Sequence, residues 1–131
     1  MADARSYPER PFLAVSAAIV RADQVLLVRR ARAPANGLFS LPGGVVEIGE
    51  TLMQAVAREV REETNLTIEP VGLAGFREAI TRDRDDRVER HFVILPFAAR
   101  WLHRSELAGL PTTPGLAEIV AAAFRLLHAS S

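Results

Sequence analysis

Cysteine and lysine are both absent from the sequence, and each absence narrows what the protein can be. Without cysteine there is no disulfide, no thiolate nucleophile and no cysteine-bearing zinc site, and such a composition suits a reducing compartment. We therefore expect a cytoplasmic location. All sixteen basic residues are arginine and sixteen acids balance them, so the formal net charge is zero. No overall field favours nucleic acid, and we expect no nucleic-acid partner.

Long apolar runs are also missing. The longest ones, such as Ala17–Val20 and Ile119–Phe124, fall far short of the ~20 residues that a membrane-spanning helix needs. The first residues mix acids, arginine and proline, which is the wrong order and composition for a secretory signal. We expect no membrane partner. The 131 residues make one domain, residues 1–131, large enough to bury a core.

The first half of the chain predicts a sheet that leads into a glycine corner. The apolar runs Phe12–Val20 and Val25–Val28 flank a turn-like segment, which favours a hairpin of buried strands. A loop at Ala33–Gly37 follows, and then Pro42, Gly43 and Gly44, where glycines permit backbone angles that other residues resist. Such a corner can bring main-chain carbonyl groups close to a ligand.

The second half predicts two helices around further strands. Thr51 and Gln54 fit a capping box, and apolar residues recur at four-residue spacing, which predicts a helix over about Leu52–Thr64. Extended segments follow, then a charged turn, then a long strand over Val88–Ala98. Thr112 and the residues after it resemble the start of a last helix that continues to Leu127.

One segment carries most of the functional information. Residues 44–66 read GVVEIGETLMQAVAREVREETNL, with glycine, glutamate, arginine and three further glutamates at set offsets. Six such identities arise by chance at about 10⁻⁷ per starting point if each residue type fills about one position in fifteen. On a helix Glu59, Glu62 and Glu63 share one face, where clustered carboxylates suit Mg²⁺ or Mn²⁺. Since like charges resist joint ionisation, we expect one of them to have a raised pKa without metal.

This segment resembles the Nudix box, which has glycine where this chain has Asn65. Asparagine is the next best residue for the left-handed end of a helix, so the departure is mild. The resemblance is to small bacterial ADP-ribose pyrophosphatase-like and MutT-like members of the Nudix hydrolases. It implies an α/β fold, an α/β/α sandwich around a mixed β-sheet. It also implies Mg²⁺- or Mn²⁺-dependent hydrolysis of a small nucleoside diphosphate linked to another group.

The resemblance also implies roles for individual residues. The metal ligands would be Glu59, Glu62 and Glu63 with a main-chain carbonyl group, that of Gly43. Two more catalytic-site residues, Arg58 and Glu50, would hold the loop against the helix, with Arg58 pointing away from the metal-binding face. The base that takes the proton of the attacking water would be Glu62 or a carboxylate on a later loop. Many relatives form dimers, so a homodimer is possible, although no sequence feature demands it.

Candidate substrate contacts lie outside the box. Arg29, Arg30 and Arg32 follow the second strand and could bind phosphate, although such arginines more often decorate a surface. Aromatic and basic residues near other strands could contact a base or ribose, although aromatic residues beside apolar runs are usually core. These residues are Phe39, Arg77, His91 and Phe92. The sequence does not choose between ADP-ribose-like compounds and nucleoside triphosphates.

Compared with the usual layout of the family, a turn and an acidic loop are absent between Arg100 and Trp101. Two antiparallel strands need at least a two-residue connection, which this segment lacks. Either the chain has a deletion or a flexible loop is missing from the sequence, and we favour the missing loop. An intact mass well above 14.3 kDa would support it, and a mass of 14.3 kDa would refute it. A true deletion favours the alternative function, a nucleotide-binding or regulatory module with little or no turnover.

Overall fold

The computed structural model describes residues 5–30, 37–103 and 112–129. Seven strands and two helices follow one another in these ranges. They are β1 (Phe12–Val25), β2 (Val28–Arg29), β3 (Phe39–Ser40), β4 (Gly43–Val45), α1 (Leu52–Thr64), β5 (Gly72–Leu73), β6 (Arg77–Arg82), β7 (Val88–His103) and α2 (Leu116–Ala129). Neither helix is long and apolar enough to cross a membrane.

The main sheet has the order β4-β1-β7-β5, and β6 pairs with β7 on the side of β5. The two long central strands, β1 and β7, run parallel to each other, with Phe12 opposite Phe92 and Ile19 opposite Ala99. The other pairings in this sheet are antiparallel, so the sheet is mixed. A separate two-stranded sheet joins β2 and β3.

Alternate residues of the central strands face two different helices. Val15, Ala17 and Ile19 of β1 pack with Val56 and Val60 of α1 in one buried cluster. Their neighbours Ala18 and Val20 pack against α2 in the other. Because strand side chains alternate between faces, one helix covers each face of the sheet. The predicted α/β/α sandwich around a mixed sheet is confirmed.

The helix α1 begins and ends where the sequence predicts. Thr51 Oγ1 accepts the Gln54 amide at 3.1 Å, and Gln54 Oε1 accepts the Thr51 amide at 2.9 Å, which completes the capping box. Asn65 ends the helix in the left-handed conformation, with φ of 62°. Capping of this kind typically contributes about 1 kcal/mol.

The predicted hairpin at the start of the chain is wrong in its pairing. Strand β1 continues to Val25, and Val28 and Arg29 pair with β3 instead of with β1. The backbone does turn there, since the Leu26 amide donates to the Ile19 carbonyl at 3.1 Å. The buried partner of the first strand is β7, because both strands are apolar on both faces.

At Arg100 and Trp101 the backbone continues as strand, within a β7 that extends beyond the predicted end at Ala98. No turn separates these two residues, so the sequence as it stands forms one strand where the family layout has two. The choice between a deletion and a missing loop stays a prediction. Arg32 and most of the loop at 33–37 lie outside the described residues.

Candidate active site

No strand in the described ranges pairs with the far edge of β4, and this edge lies against acidic side chains of α1. The Pro42 carbonyl accepts the Ala17 amide at 2.9 Å, and the Val46 amide donates to Leu13 at 3.0 Å. Because hydrogen-bonding residues alternate along an antiparallel strand, the peptide groups of Gly43 and Val45 point away from β1. The carbonyl of Gly43 therefore points to the side of the sheet where α1 presents its glutamates.

A side chain at either glycine of this strand would meet atoms that lie within 3 Å of its Cβ. A Cβ on Gly43 would overlap the Val15 carbonyl oxygen and lie 2.7 Å from Ser16 Cα, while one on Gly44 would lie 2.5 Å from both carboxylate oxygens of Glu59. Neither glycine has a positive φ. The expectation that these glycines adopt unusual backbone angles is therefore wrong. Their lack of a side chain instead lets Gly43 lie close to β1 and Gly44 lie close to the carboxylate of Glu59.

Arg58 joins the loop before α1 to the acids on the helix. Its Nε and Nη2 atoms donate to the two oxygens of Glu50 at 2.6 and 2.9 Å, a bidentate pair. Nη2 also donates to the Val45 carbonyl on the open edge at 3.1 Å. Nη1 donates to Glu59 at 2.8 Å and to Glu62 at 3.3 Å. One guanidinium group thus fixes the loop, the strand edge and two acids relative to one another.

The predicted Arg58–Glu50 pair is present in the structure, but the orientation predicted for Arg58 is wrong. Arg58 does not point away from the acidic face, because its Nη1 contacts Glu59 and Glu62. A contribution that sequence reasoning missed comes from Glu47, whose amide donates to Glu50 at 2.9 Å. The three-residue spacing of Glu47 and Glu50 around Gly49, which has φ of 88°, could have indicated a tight turn there.

These contacts make the ionised form of Glu50 the favoured one. The Arg58 guanidinium and then the Glu47 amide lower the pKa of the Glu50 carboxyl to about 2. The same pairing, with Glu50 as its largest cause, raises the pKa of Arg58 above its ordinary value. Both groups of the pair are therefore charged at neutral pH.

Stability should fall in acid partly because of Glu50. Its pKa lies below the ordinary 4.5, so its contribution is complete above pH 4.5 and is lost as the pH falls towards 2. We expect the melting temperature of Glu50→Gln to change less over this range than that of the wild type. Circular dichroism melts at several pH values would measure this, with the exposed Glu69→Gln as a matched control. Equal slopes for the Glu50 variant and the wild type would contradict it.

The three acids are not gathered around one point. Glu59 and Glu62 each contact Arg58, while Glu63 accepts the Gly43 amide at 3.4 Å, which is long for such a bond. Within residues 5–30, 37–103 and 112–129 no three acidic or histidine side chains are placed to hold a metal ion.

Glu63 has a raised pKa, although the main cause differs from the one predicted. Loss of hydration raises it most, the Gly43 amide lowers it, and the charge of Glu59 then raises it further. We expect carboxyl titration by NMR in metal-free buffer to show Glu63 ionising above the ordinary glutamate value. A Glu63 that titrates at the ordinary value would contradict this expectation.

The residues present fit a hard divalent cation. Three carboxylates and a backbone carbonyl are the oxygen donors that Mg²⁺ and Mn²⁺ take. Gly44 leaves the space in which the carboxylate of Glu59 lies against the strand, a space that any Cβ would fill. The donors of Gly43, Glu59 and Glu63 therefore lie between the same strand edge and helix.

The candidate substrate contacts lie at two places. Arg30 is near the acids, since its charge lowers the pKa of Glu63. Arg29 and Phe39 are opposite each other in the β2–β3 pair. Arg77 lies against Gly115, where a Cβ would be 3.1 Å from its Nε. Thr112 and Thr113, just before Gly115, contact the backbone of Phe39, so Phe39 and Arg77 border the same segment.

The two remaining candidates lie on neighbouring positions of β7. Phe92 forms a ring pair with Phe12, with centroids 5.8 Å apart. His91 pairs with Ile80 of β6 and is half-buried. Since successive side chains point to opposite faces of a sheet, these two residues cannot contact one ligand on the same face.

Comparisons with known proteins agree with this architecture. The family model described as NUDIX domain matches residues 10–126. An ADP-ribose pyrophosphatase of Methanocaldococcus jannaschii is 42% identical over 73 residues, which are 56% of this chain and 43% of that protein. The aligned part thus spans less than half of that relative.

Two solved structures extend the likeness to most of the chain. The MutT NUDIX hydrolase from Burkholderia pseudomallei is 32% identical, with a TM-score of 0.63 over 80% of this chain and 74% of that one. The NUDIX domain of Shewanella oneidensis NrtR complexed with ADP ribose has a TM-score of 0.72 over 92% of this chain and 90% of that one. At 21% identity the second likeness concerns the fold alone.

Proposed function

The chain belongs to the NUDIX domain family, and we propose that it is a metal-dependent hydrolase of a small nucleoside diphosphate compound. The substrate would be ADP-ribose-like or a nucleoside triphosphate. The observation that supports this most is the network of Arg58, which ties Glu50, Glu59 and the Val45 carbonyl together beside the open edge of β4. A helix that only presented charge to solvent would need no such connection to a glycine strand.

The proposed metal ligands are Glu59, Glu62, Glu63 and the carbonyl of Gly43. Mg²⁺ or Mn²⁺ held there would supply neutralisation of a diphosphate and a lowered pKa of the attacking water. The chain supplies the position of these donors. Arg58 and Glu50 act as positioning residues, because they fix the helix that carries three donors against the strand that carries the fourth.

The proposed reaction is attack of water on phosphorus. The new bond joins the water oxygen to phosphorus, and the bond that breaks joins that phosphorus to the bridging oxygen. The water proton passes to Glu62, whose side chain is 59% exposed and so accessible. The products are a nucleoside monophosphate and a phosphorylated remainder or pyrophosphate. A carboxylate on a later loop is the alternative base.

Substrate contacts are proposed for four residues. Arg30 is proposed to bind a phosphate group that lies next to the acids. Its charge lowers the pKa of Glu63, so it lies close to them. Arg29, Phe39 and Arg77 are proposed to contact the rest of the nucleotide, because Phe39 and Arg77 border the segment that precedes α2. An ADP-ribose-like substrate is supported by the similarity to the Methanocaldococcus jannaschii ADP-ribose pyrophosphatase.

A turnover screen tests the proposal. The panel holds ADP-ribose, NADH, dinucleoside polyphosphates, nucleotide sugars and the common and oxidised nucleoside triphosphates, each with and without Mg²⁺. Chromatography identifies the products, and ¹⁸O-water shows which phosphorus is attacked. Metal-dependent release of a nucleoside monophosphate supports the proposal. No turnover of any compound, with Mn²⁺ binding absent from a titration followed by electron paramagnetic resonance, overturns it.

A nucleotide-binding or regulatory module is the second candidate. The observation that favours it is that the three acids are not gathered in the described part of the chain. Binding of ADP-ribose by calorimetry without turnover in Mg²⁺ or Mn²⁺ would support this candidate. We also propose that the protein is cytoplasmic and that it forms a homodimer.

A further inference from the structure

Strand β6 is an open edge of the main sheet. It pairs with β7, and no other strand in the described ranges pairs with its far side. Exposed and half-buried side chains alternate along it, and the exposed ones are Glu78, Ile80 and Arg82. Because alternate residues share a face, Glu78 and Ile80 lie in one row on the α1 side of the sheet, and Arg82 follows them after an irregularity in the pairing with β7 between Thr81 and Arg82.

The peptide groups of the same row also point outward. On the side of β7 that faces β5 and β6, the even-numbered residues of β7 make the hydrogen bonds. The Pro96 carbonyl accepts the Ala74 amide at 2.8 Å, and the Ala98 carbonyl accepts the Val71 amide at 2.9 Å. The alternation continues to Phe92, whose partner in β6 is Ala79. Glu78 and Ile80, on either side of Ala79, therefore turn their N–H and C=O groups towards the open edge.

Apolar surface adjoins this edge. Ile80 is 45% exposed, and Phe76, just before the strand, is 68% exposed. Leu13 of β1 pairs with Val93 of β7, which pairs with Glu78 of β6, so Leu13 and Glu78 lie on the same face of the sheet. The side chain of Leu13 is 42% exposed. An open strand edge beside exposed apolar residues is a surface that associates with other chains unless something prevents it.

The order of charges along the edge selects one partner. If a second copy pairs antiparallel with β6 and Ile80 faces Ile80, then Glu78 faces Arg82 of the second copy, and Arg82 faces its Glu78. In this register the outward peptide groups of Ile80 form a hydrogen-bonded pair across the two-fold axis. We propose that β6 is a homodimer interface, in which two copies join their sheets edge to edge with Ile80 at the centre.

The competing interpretation is that Glu78 and Arg82 keep the edge monomeric, as charged residues on edge strands commonly do. Two charges of one sign would serve that purpose in every register. Glu78 and Arg82 instead have opposite charges and lie two residues before and after Ile80. In an antiparallel pair centred on Ile80, each of them therefore faces a residue of opposite charge in the second copy. Arg82 also contacts its own turn, donating to the Asp86 carbonyl at 3.1 Å, but its side chain is 52% exposed and reaches solvent.

Charge reversal with rescue tests the proposal. The molar mass of the full chain is measured by sedimentation equilibrium at low salt, over a wide range of concentration. The wild type should approach twice the mass of its single chain, which is measured separately by mass spectrometry. Glu78→Arg and Arg82→Glu each place like charges opposite one another twice, and should raise the dimer dissociation constant at least tenfold. An equimolar mixture of these two variants should recover the wild-type mass, because each then meets its opposite.

The outcomes are decisive in both directions. Glu69→Arg, the same charge change at an exposed residue outside β6, should leave the mass unchanged, and circular dichroism checks that every variant is folded. A monomeric wild type overturns the proposal. So does a dimer that survives both reversals, or a mixture of the two variants that stays monomeric. None of these results depends on turnover, so the proposed function is tested separately.

Discussion

Replacing Glu63 with glutamine is expected to abolish metal-dependent turnover while the domain stays folded. A bound cation contributes several kcal/mol to stabilising the charge that develops during phosphoryl transfer, so loss of one ligand should lower kcat/KM at least about 10²-fold. The fold should persist, because Glu63 is exposed and its hydrogen bond from the Gly43 amide is long. Because burial raises the pKa of Glu63, its ionised form is disfavoured in the folded protein, and its replacement by glutamine should change the free energy of unfolding little.

The measurement is turnover of the best substrate from the screen, together with Mn²⁺ affinity and melting temperature. Glu69→Gln makes the same chemical change at an exposed position before β5, and should match the wild type in all three measurements. A Glu63 variant with unchanged Mn²⁺ affinity and unchanged turnover would remove Glu63 from the metal site. Loss of turnover with a matching loss of melting temperature would instead assign Glu63 to the fold.

The helix of the acidic segment could be predicted from the sequence almost to the residue. Its signals are local, because Thr51 and Gln54 cap one another, Asn65 ends the helix, and Val56 and Val60 recur on the buried face. Local hydrogen bonds and periodicity depend only on neighbours along the chain. The bounds of α1 therefore followed without knowledge of the sheet, as did the face on which the glutamates lie.

The orientation of Arg58 could not be predicted in this way. Its guanidinium lies where it can reach Glu50, Glu59 and the Val45 carbonyl at once, and this position depends on how α1 packs against β4. Spacing along the chain indicated the partner Glu50, eight residues away, but not the contacts with the acids. For the same reason the sequence predicted that the three carboxylates share a face, while the contacts of Arg58 with two of them are known only from the structure.

Strand partners were the other part that the sequence left open. Strands β1 and β7 are apolar enough to be buried on both faces, and residues about eighty positions apart pair in them. Nothing local distinguishes that pairing from a hairpin around residues 21–24. The open edges of β4 and β6 follow from this order of strands, so neither the outward carbonyl of Gly43 nor the exposed row of Glu78 could be derived before the sheet was known.

Substituting each glycine of β4 with alanine should separate the fold from the site. In Gly43→Ala the new Cβ meets backbone atoms of Val15 and Ser16, which cannot move without shifting β1. Overpacking of this kind lowers the free energy of unfolding by about 1–3 kcal/mol. We expect a larger loss here, because the strand that would have to move, β1, is central to the sheet. In domains of 60–250 residues each kcal/mol lowers the melting temperature by roughly 2–8 °C.

Gly44→Ala should behave in the opposite way, because the three atoms nearest to its Cβ would all belong to the carboxylate of Glu59, the far end of a flexible side chain. Glu59 can swing aside, so the melting temperature should change little. The displaced carboxylate leaves both Arg58 and the proposed metal, and we expect Mn²⁺ affinity to fall about 10–100-fold, the range typical when the support of a metal ligand is lost. Melts and Mn²⁺ titrations of the two variants measure both effects. If Gly44→Ala binds Mn²⁺ as the wild type does, Glu59 is not a ligand, and the close approach of α1 to β4 serves packing alone.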